Sequence, residues 1–171
     1  LLTTQLRVDA NPGEPGEILV AGPTISPGYW NRDERNRDAA DWFHTGDIGR
    51  VDESGYLFVL DRRDDLIVSG GENVYPAEVE AALLAHPGVE AAAVVGMPDP
   101  AWGQVGVAAV VGREGLVLGE LEGWLRGRLA GYKVPRRYVA MESLPMTASG
   151  KGRRGEIRER LAGETVCRDE R

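Results

Sequence analysis

The chain has one cysteine, two lysines and no long apolar run, and these shortages exclude several classes of protein. The lone Cys167 allows neither an internal disulfide framework nor a cysteine-based zinc site in a chain of 171 residues. No stretch approaches the roughly 20 apolar residues of a membrane-spanning helix, and the first seven residues lack the pattern of a signal peptide. We therefore expect a cytoplasmic protein without a membrane span and without a metal site of its own.

Charge is distributed unevenly along the chain. The 20 Lys and Arg and 27 Asp and Glu residues give a net charge of −7, yet residues 126–160 contain ten basic side chains and only three acidic ones. Such a segment suits a compact anion such as a nucleotide, or a nucleic acid, although an overall acidic chain repels a long polyanion. A solvated helix face is the simplest interpretation, and we expect no nucleic-acid partner.

Two patterns meet near residue 62. Residues 1–61 predict short strands and turns, and a piece this small buries little core by itself, so we expect it to be the end of a larger N-terminal core domain. Residues 62–171 alternate strands and helices. The predicted fold class is therefore α+β, with a short all-β end of a core domain followed by a small α+β lid domain. The predicted strands are 17–22, 56–60, 66–68, 89–95, 105–111 and 138–141, and the predicted helices are 76–84, 121–129 and 154–161.

The two lysines, Lys133 and Lys151, stand out in a chain whose other basic residues are all arginine. A slim ammonium can enter a crowded site that excludes a planar guanidinium, although chance explains two lysines about equally well. Lys151 lies in a turn-rich segment that we expect to form an exposed, mobile tip before the last helix. This segment is not a phosphate-binding P-loop, because that pattern requires Gly and Ser or Thr where the chain has Pro145 and Gly152.

Two further segments contain candidate binding residues. Asp47 follows a predicted Thr-Gly turn, where its carboxylate can accept two hydrogen bonds from a ribose diol, whereas we expect the neighbouring His44 to be structural. In the charged junction that follows residue 61, Gly70 and Gly71 would let the backbone approach a ligand closely. A solvated linker is the alternative interpretation of this junction.

Together these segments resemble the C-terminal third of the adenylate-forming acyl-CoA synthetases, the superfamily that includes luciferases and peptide-synthetase adenylation domains. The pairing of the junction with WGQV at 102–105 is most similar to o-succinylbenzoate–CoA ligases of menaquinone synthesis. The alternatives are a fatty-acid or aryl-CoA ligase, a peptide-synthetase adenylation domain, and a non-enzymatic nucleotide- or nucleic-acid-binding module. The matching stretches are GEILV at 16–20 with GYW at 28–30, FHTGD at 43–47, DRRDDLIVSGGENVYPAE at 61–78, YKVP at 132–135 and LPMTASGK at 144–151.

The resemblance implies an enzyme that joins a carboxylic acid to ATP, releases pyrophosphate, and then transfers the acyl group from the acyl adenylate to coenzyme A. ATP, AMP, Mg²⁺ and coenzyme A would be bound mainly by the enzyme's N-terminal core domain, and nothing in the chain resembles the phosphate loop, the adenine pocket or the acyl pocket of that domain. We therefore expect an inactive fragment. The acid and the oligomeric state, including a possible homodimer, stay open.

The resemblance also implies a role for each candidate residue. Lys151 would bridge the substrate carboxylate and the α-phosphate and would be the catalytic residue. The other implied roles are ribose binding for Asp47, ribose or phosphate contact for Arg62, a hinge at Asp64 within residues 61–65, and a channel for coenzyme A lined by Gly70, Gly71 and Asn73.

Overall fold

The structure is a computed structural model that describes residues 3–27, 36–146 and 153–163. The chain divides into two compact units, residues 1–64 and 65–171. The expected boundary near residue 62, with a hinge at 61–65, stays a prediction. Lys151 and the GYW stretch at 28–30 lie outside the described residues.

The first unit is built on an antiparallel four-stranded sheet in the order β1-β2-β3-β4. The sequence predicts β2 and β4 but neither β1 nor β3. Only Ile18, Leu19 and Ile48 are buried apolar residues among the described part of this unit, so its core is small. The strands are β1 (Gln5–Asp9), β2 (Gly16–Ala21), β3 (Phe43–Val51) and β4 (Leu57–Arg62).

The second unit has a five-stranded sheet centred on β8. Strand β7 pairs antiparallel with β8, which also pairs antiparallel with β5 and parallel with β9, while β6 pairs with β5. The sequence predicts that β7 ends at Val95, but the strand continues through Pro98 to Asp99. Proline is tolerated there because β7 is an edge strand. The strands are β5 (Ile67–Ser69), β6 (Glu72–Val74), β7 (Val89–Asp99), β8 (Gly103–Gly112) and β9 (Arg137–Ala140).

Helices cover both faces of this sheet, which explains the nearly continuous apolar sequence of β7 and β8. Because side chains alternate across a strand, Val94 packs with helices α1 and α2, whereas Ala93 and Val95 pack with α3. The expected α+β fold is confirmed. The helices are α1 (Pro76–Leu84), α2 (Leu118–Arg126) and α3 (Arg154–Gly163).

Local signals determine the helix bounds to different degrees. Helix α1 begins at Pro76 and ends at Leu84 as predicted, with Val79 and Leu83 fully buried. Helix α2 begins three residues before the predicted start at 121, because Leu118 lies on the same buried side of the helix. None of the helices in the described part of the chain is long and apolar enough to cross a membrane.

Candidate functional site

The segment around Asp47 is a bulge within strand β3. Between the register pairs Glu17/Ile48 and Leu19/His44, strand β2 has one residue and strand β3 has three, Thr45–Asp47. Extra residues on one strand bend it locally and turn a side chain in a new direction. The predicted Thr-Gly turn is therefore wrong in form, because the chain continues as a strand on either side of the extra residues.

Local hydrogen bonds hold this bulge in shape. Gly46 has a φ of +74°, which glycine adopts without steric cost. The Thr45 hydroxyl donates to the carbonyl oxygen of Ile18 at 2.8 Å and accepts from the Asp47 amide at 3.1 Å. The hydroxyl thus takes the place of missing ladder bonds and fixes the backbone from which the Asp47 side chain projects.

The Glu17 side chain lies beside the bulge and is only 12% exposed. Its Oε1 accepts a hydrogen bond from the Gly46 amide at 3.2 Å, and its Oε2 contacts His44 Nδ1 at 3.0 Å and Arg63 Nη1 at 3.2 Å. Burial raises the pKa of Glu17, but the His44 and Gly46 hydrogen bonds and the neighbouring positive charges outweigh it, so the pKa is lowered below its ordinary value. Sequence reasoning did not single out Glu17.

The structure brings Asp47 and Arg62 together. They are opposite each other in the register of β3 and β4, and Arg62 Nε donates to Asp47 Oδ1 at 3.1 Å. The side chains are 37% and 68% exposed, and an ion pair this exposed contributes less than about 1 kcal/mol. A ligand that offers hydroxyl or phosphate groups can therefore compete for both side chains. Asp64 lies just beyond, in a short 3-10 turn, Arg63–Asp65, that contains no buried residue.

Gly70 and Gly71 form the turn between β5 and β6. Their φ values of +59° and +87°, between the paired residues Ser69 and Glu72, are typical of a tight two-residue hairpin. The Gly70 amide donates to the carbonyl of Trp102 at 2.9 Å, and a Cβ at Gly70 would lie 2.6 Å from the Trp102 ring. Turn geometry and close packing thus account for both glycines locally.

Asn73 lies on the same hairpin, in strand β6, where it pairs in register with Val68. Burial raises the pKa of the nearby Tyr75 phenol above its ordinary value. Gly70, Gly71 and Asn73 therefore share one hairpin of the second unit, whereas Asp47 and Arg62 share two strands of the first.

Lys133 has a structural partner. Its Nζ contacts both carboxylate oxygens of Glu78 at 2.7 and 2.8 Å, and its side chain is 20% exposed. This ion pair joins a 3-10 turn, Gly131–Lys133, to helix α1. Of the two lysines, Lys133 therefore has a local structural reason to be present.

The basic side chains of residues 126–160 that the structure describes make contacts within the second unit. Contacts within the unit therefore account for these side chains without a nucleic-acid partner. The contacts are Arg126 with Glu122, Arg128 with Trp124, Lys133 with Glu78, Arg136 with Trp102, Arg137 with the Leu161 carbonyl, Arg153 and Arg160 with Glu156, Arg154 with Asp65 and Glu80, and Arg158 with the Gly96 carbonyl.

The described residues contain no group of three or more His, Cys, Asp or Glu side chains placed to hold a metal ion. This finding concerns only an ion held by the chain alone, because Mg²⁺ at a nucleotide site usually binds one or two carboxylates together with waters and the phosphates.

Comparison with known proteins gives a consistent family assignment. Residues 78–151 match the AMP-binding enzyme C-terminal domain. The chain is 54% identical over 154 residues to a feruloyl-CoA synthase of an Amycolatopsis species, a match that covers 88% of this chain and 31% of the relative. It is 48% identical over 171 residues to a 2-succinylbenzoate–CoA ligase of Bacillus velezensis, covering 96% and 35%.

A solved structure is similar across nearly the whole chain. The o-succinylbenzoate CoA synthetase of Bacillus subtilis, in complex with its acyl-adenylate intermediate, is 41% identical and has a TM-score of 0.85. The match covers 92% of this chain and 34% of that one. The same enzyme has been solved with AMP and with ATP and a magnesium ion. The chain spans about a third of the length of these relatives, and its residues 78–151 belong to the AMP-binding enzyme C-terminal domain family.

Proposed function

We propose that the chain is the C-terminal part of an ATP-dependent acid–CoA ligase. The enzyme would convert a carboxylic acid and ATP to an acyl adenylate and pyrophosphate, and then use coenzyme A to form the acyl-CoA and AMP. The observation that carries this proposal is the likeness over 92% of the chain, at 41% identity, to an enzyme solved with its acyl-adenylate intermediate. The missing two thirds of the relatives' length would supply the acid pocket and most of the ATP site.

In this proposal Asp47 accepts hydrogen bonds from the ribose hydroxyls of ATP and AMP, and Arg62 lies beside the ribose or the phosphate. The bulge presents the Asp47 carboxylate at the surface of the first unit, where it is 37% exposed. The pair with Arg62 is exposed and therefore weak, so it does not commit the carboxylate strongly to a protein partner. Both features support a role in binding a polar ligand.

Lys151 is proposed as the catalytic residue of the first half-reaction. Negative charge builds on the α-phosphoryl oxygens as the acid attacks, and a positioned ammonium stabilises that charge. Lys151 itself lies outside the described residues, but the Arg153 amide donates to the Pro145 carbonyl at 2.8 Å. This bond joins the two described flanks of the segment that contains Lys151.

The second half-reaction requires the lysine to leave and coenzyme A to enter. We propose that the second unit turns about Asp64, which is the last residue before the division of the chain. The rotation would then present the hairpin of Gly70, Gly71 and Asn73 to the pantetheine arm. One small domain can serve both half-reactions by offering two faces to one site.

We propose an aromatic carboxylic acid as substrate, with o-succinylbenzoate as the first candidate. The 54% identity to a feruloyl-CoA synthase specifically favours ferulate as the second. A cytoplasmic location follows from the proposal, because ATP and coenzyme A are both available there.

The test uses the full-length enzyme that contains this chain, with o-succinylbenzoate and ferulate assayed in parallel. Lys151→Ala should lower acid-dependent ATP–pyrophosphate exchange by about 10²–10³-fold, while thioester formation from preformed acyl adenylate stays within about threefold. Lys133→Ala is the matched control, because it removes the other lysine from a structural ion pair and should not separate the half-reactions.

Equal loss of both half-reactions in Lys151→Ala would contradict the assigned role. Robust exchange by the isolated 171-residue chain would contradict the proposal that the ATP site lies mainly outside it.

A further inference from the structure

We propose that Glu17 is a positioning residue that sets the place of the Asp47 carboxylate through the bulge Thr45–Asp47. This inference rests on the proposed role of Asp47 in binding the ribose, and it adds a residue in the neighbouring strand β2 that would not itself touch the nucleotide.

The first step is that the bulge requires an external partner. Its three residues face one residue of β2, so part of the regular ladder is missing, and the Gly46 amide needs an acceptor. Glu17 Oε1 supplies that acceptor at 3.2 Å. A hydrogen bond to an ionised carboxylate is stronger than one to a neutral acceptor, and a side chain only 12% exposed is weakly screened by water. The amide immediately before Asp47 is therefore held firmly.

The second step is that the same carboxylate is fixed from two other directions. Its Oε2 lies 3.0 Å from His44 Nδ1 and 3.2 Å from Arg63 Nη1. His44 directly precedes the bulge on β3, and Arg63 directly follows Arg62 at the end of β4. Glu17 therefore contacts groups on both sides of the Asp47–Arg62 pair, although it lies in β2 and the pair lies in β3 and β4.

The third step separates positioning from simple structural support. A structural residue would lower stability when replaced but would not alter which nucleotide is preferred. A residue that positions Asp47 should weaken the recognition of ribose hydroxyls specifically. The preference for ATP over 2′,3′-dideoxy-ATP, which lacks both hydroxyls, therefore distinguishes the two roles.

The experiment measures KM and kcat for both nucleotides in ATP–pyrophosphate exchange by the full-length enzyme. In Glu17→Ala we expect KM for ATP to rise about tenfold, KM for the dideoxy nucleotide and kcat to change less than about twofold, and the preference to fall accordingly. Glu17→Gln should be intermediate, because its amide oxygen can still accept from the Gly46 amide. The matched control is Glu53→Gln, an exposed glutamate in the turn between β3 and β4, which should match the wild type.

A double-mutant cycle with Asp47→Asn tests the coupling. In that background Glu17→Ala should have no further effect on the preference, because the group it positions is already gone. Full additivity, or an unchanged preference in Glu17→Ala, would overturn the inference. If Asp47→Asn alone leaves the preference unchanged, the proposed role of Asp47 fails instead, so the two failures are distinguishable.

A second variant keeps the inference testable if Glu17→Ala does not fold. Thr45→Val preserves the shape of the side chain but removes the hydroxyl that joins the Ile18 carbonyl to the Asp47 amide. It should shift the preference in the same direction as the Glu17 variants. An unchanged preference in both Thr45→Val and Glu17→Gln would overturn the positioning role.

Discussion

Arg154, the first residue of helix α3, joins two separate carboxylates within the second unit. Its Nη1 lies 2.8 Å from Asp65 Oδ2, and its Nη2 lies 2.9 and 3.0 Å from the two oxygens of Glu80. The three side chains are 18–25% exposed. Glu80 also accepts a hydrogen bond from the Val94 amide at 2.8 Å, so the same cluster covers part of the outer edge of strand β7. We predict that Arg154→Met will destabilise this unit.

The geometry sets the size of the effect. Breaking a fully buried ion pair costs about 3–5 kcal/mol, because it leaves an unpaired charge. Here water reaches about a fifth of each side chain and can solvate the two remaining carboxylates, so we expect a loss of about 2–3 kcal/mol. Methionine preserves much of the apolar stem, so the loss reports the guanidinium contacts rather than packing.

The matched control lies in the same helix. Arg160 contacts Glu156 at 2.8 Å, four residues away, but the side chains are 52% and 37% exposed. Arg160→Met should therefore cost only about 0.3–0.5 kcal/mol. Urea unfolding followed by far-UV circular dichroism gives both values, and hydrogen exchange of the Val94 amide reports the second unit alone even if the two units unfold separately. Arg154→Met and Arg160→Met differing by less than about 0.5 kcal/mol would refute the reasoning.

Two further predictions concern the second unit. Gly71→Ala should lower the free energy of unfolding by about 1 kcal/mol, because its φ is positive. Gly70→Ala should lower it clearly more, because its Cβ would also lie 2.6 Å from the Trp102 ring. Equal melting temperatures of the two variants would contradict this contact. Burial raises the pKa of Tyr138 to about 12, and its hydroxyl has no hydrogen-bond partner among the described residues. Because the folded-state pKa lies above the ordinary value of 10.0, wild-type stability should fall as pH rises from 10 to about 12. In urea unfolding, Tyr138→Phe should show a smaller fall over this range and should match or exceed the stability of the wild type at pH 7.

Local sequence signals predict the parts of the fold that depend on neighbours along the chain. Helix α1 begins at the proline that predicts it, and Val79 and Leu83 lie one turn apart on its buried face. The paired strands β7 and β8 follow from two apolar runs that are too short to be spanning helices. In these elements the backbone propensity and the hydrophobic pattern agree, so a single segment contains most of the information.

The missed elements depend on partners that are distant in sequence. Strand β1 is mostly exposed, and every one of its residues pairs with β2, so tertiary pairing rather than its own composition specifies it. Strand β3 contains Gly46 and Gly49, which weaken a strand prediction. Gly49 is required there because a Cβ would lie 2.8 Å from the Ile18 side chain and 2.9 Å from the Phe58 carbonyl.

Glu17 illustrates how far sequence reasoning reaches into the candidate site. An acidic residue at the start of the apolar strand β2 is a signal by itself, because a carboxylate that becomes buried must find hydrogen-bond donors or positive charges. The signal does not identify the donors, since His44, Gly46 and Arg63 lie 27, 29 and 46 residues away along the chain. Only the register of β2, β3 and β4 brings these groups to one carboxylate. Asp47 could be proposed as a binding residue from its motif, whereas Glu17 became a candidate only once the strands were paired.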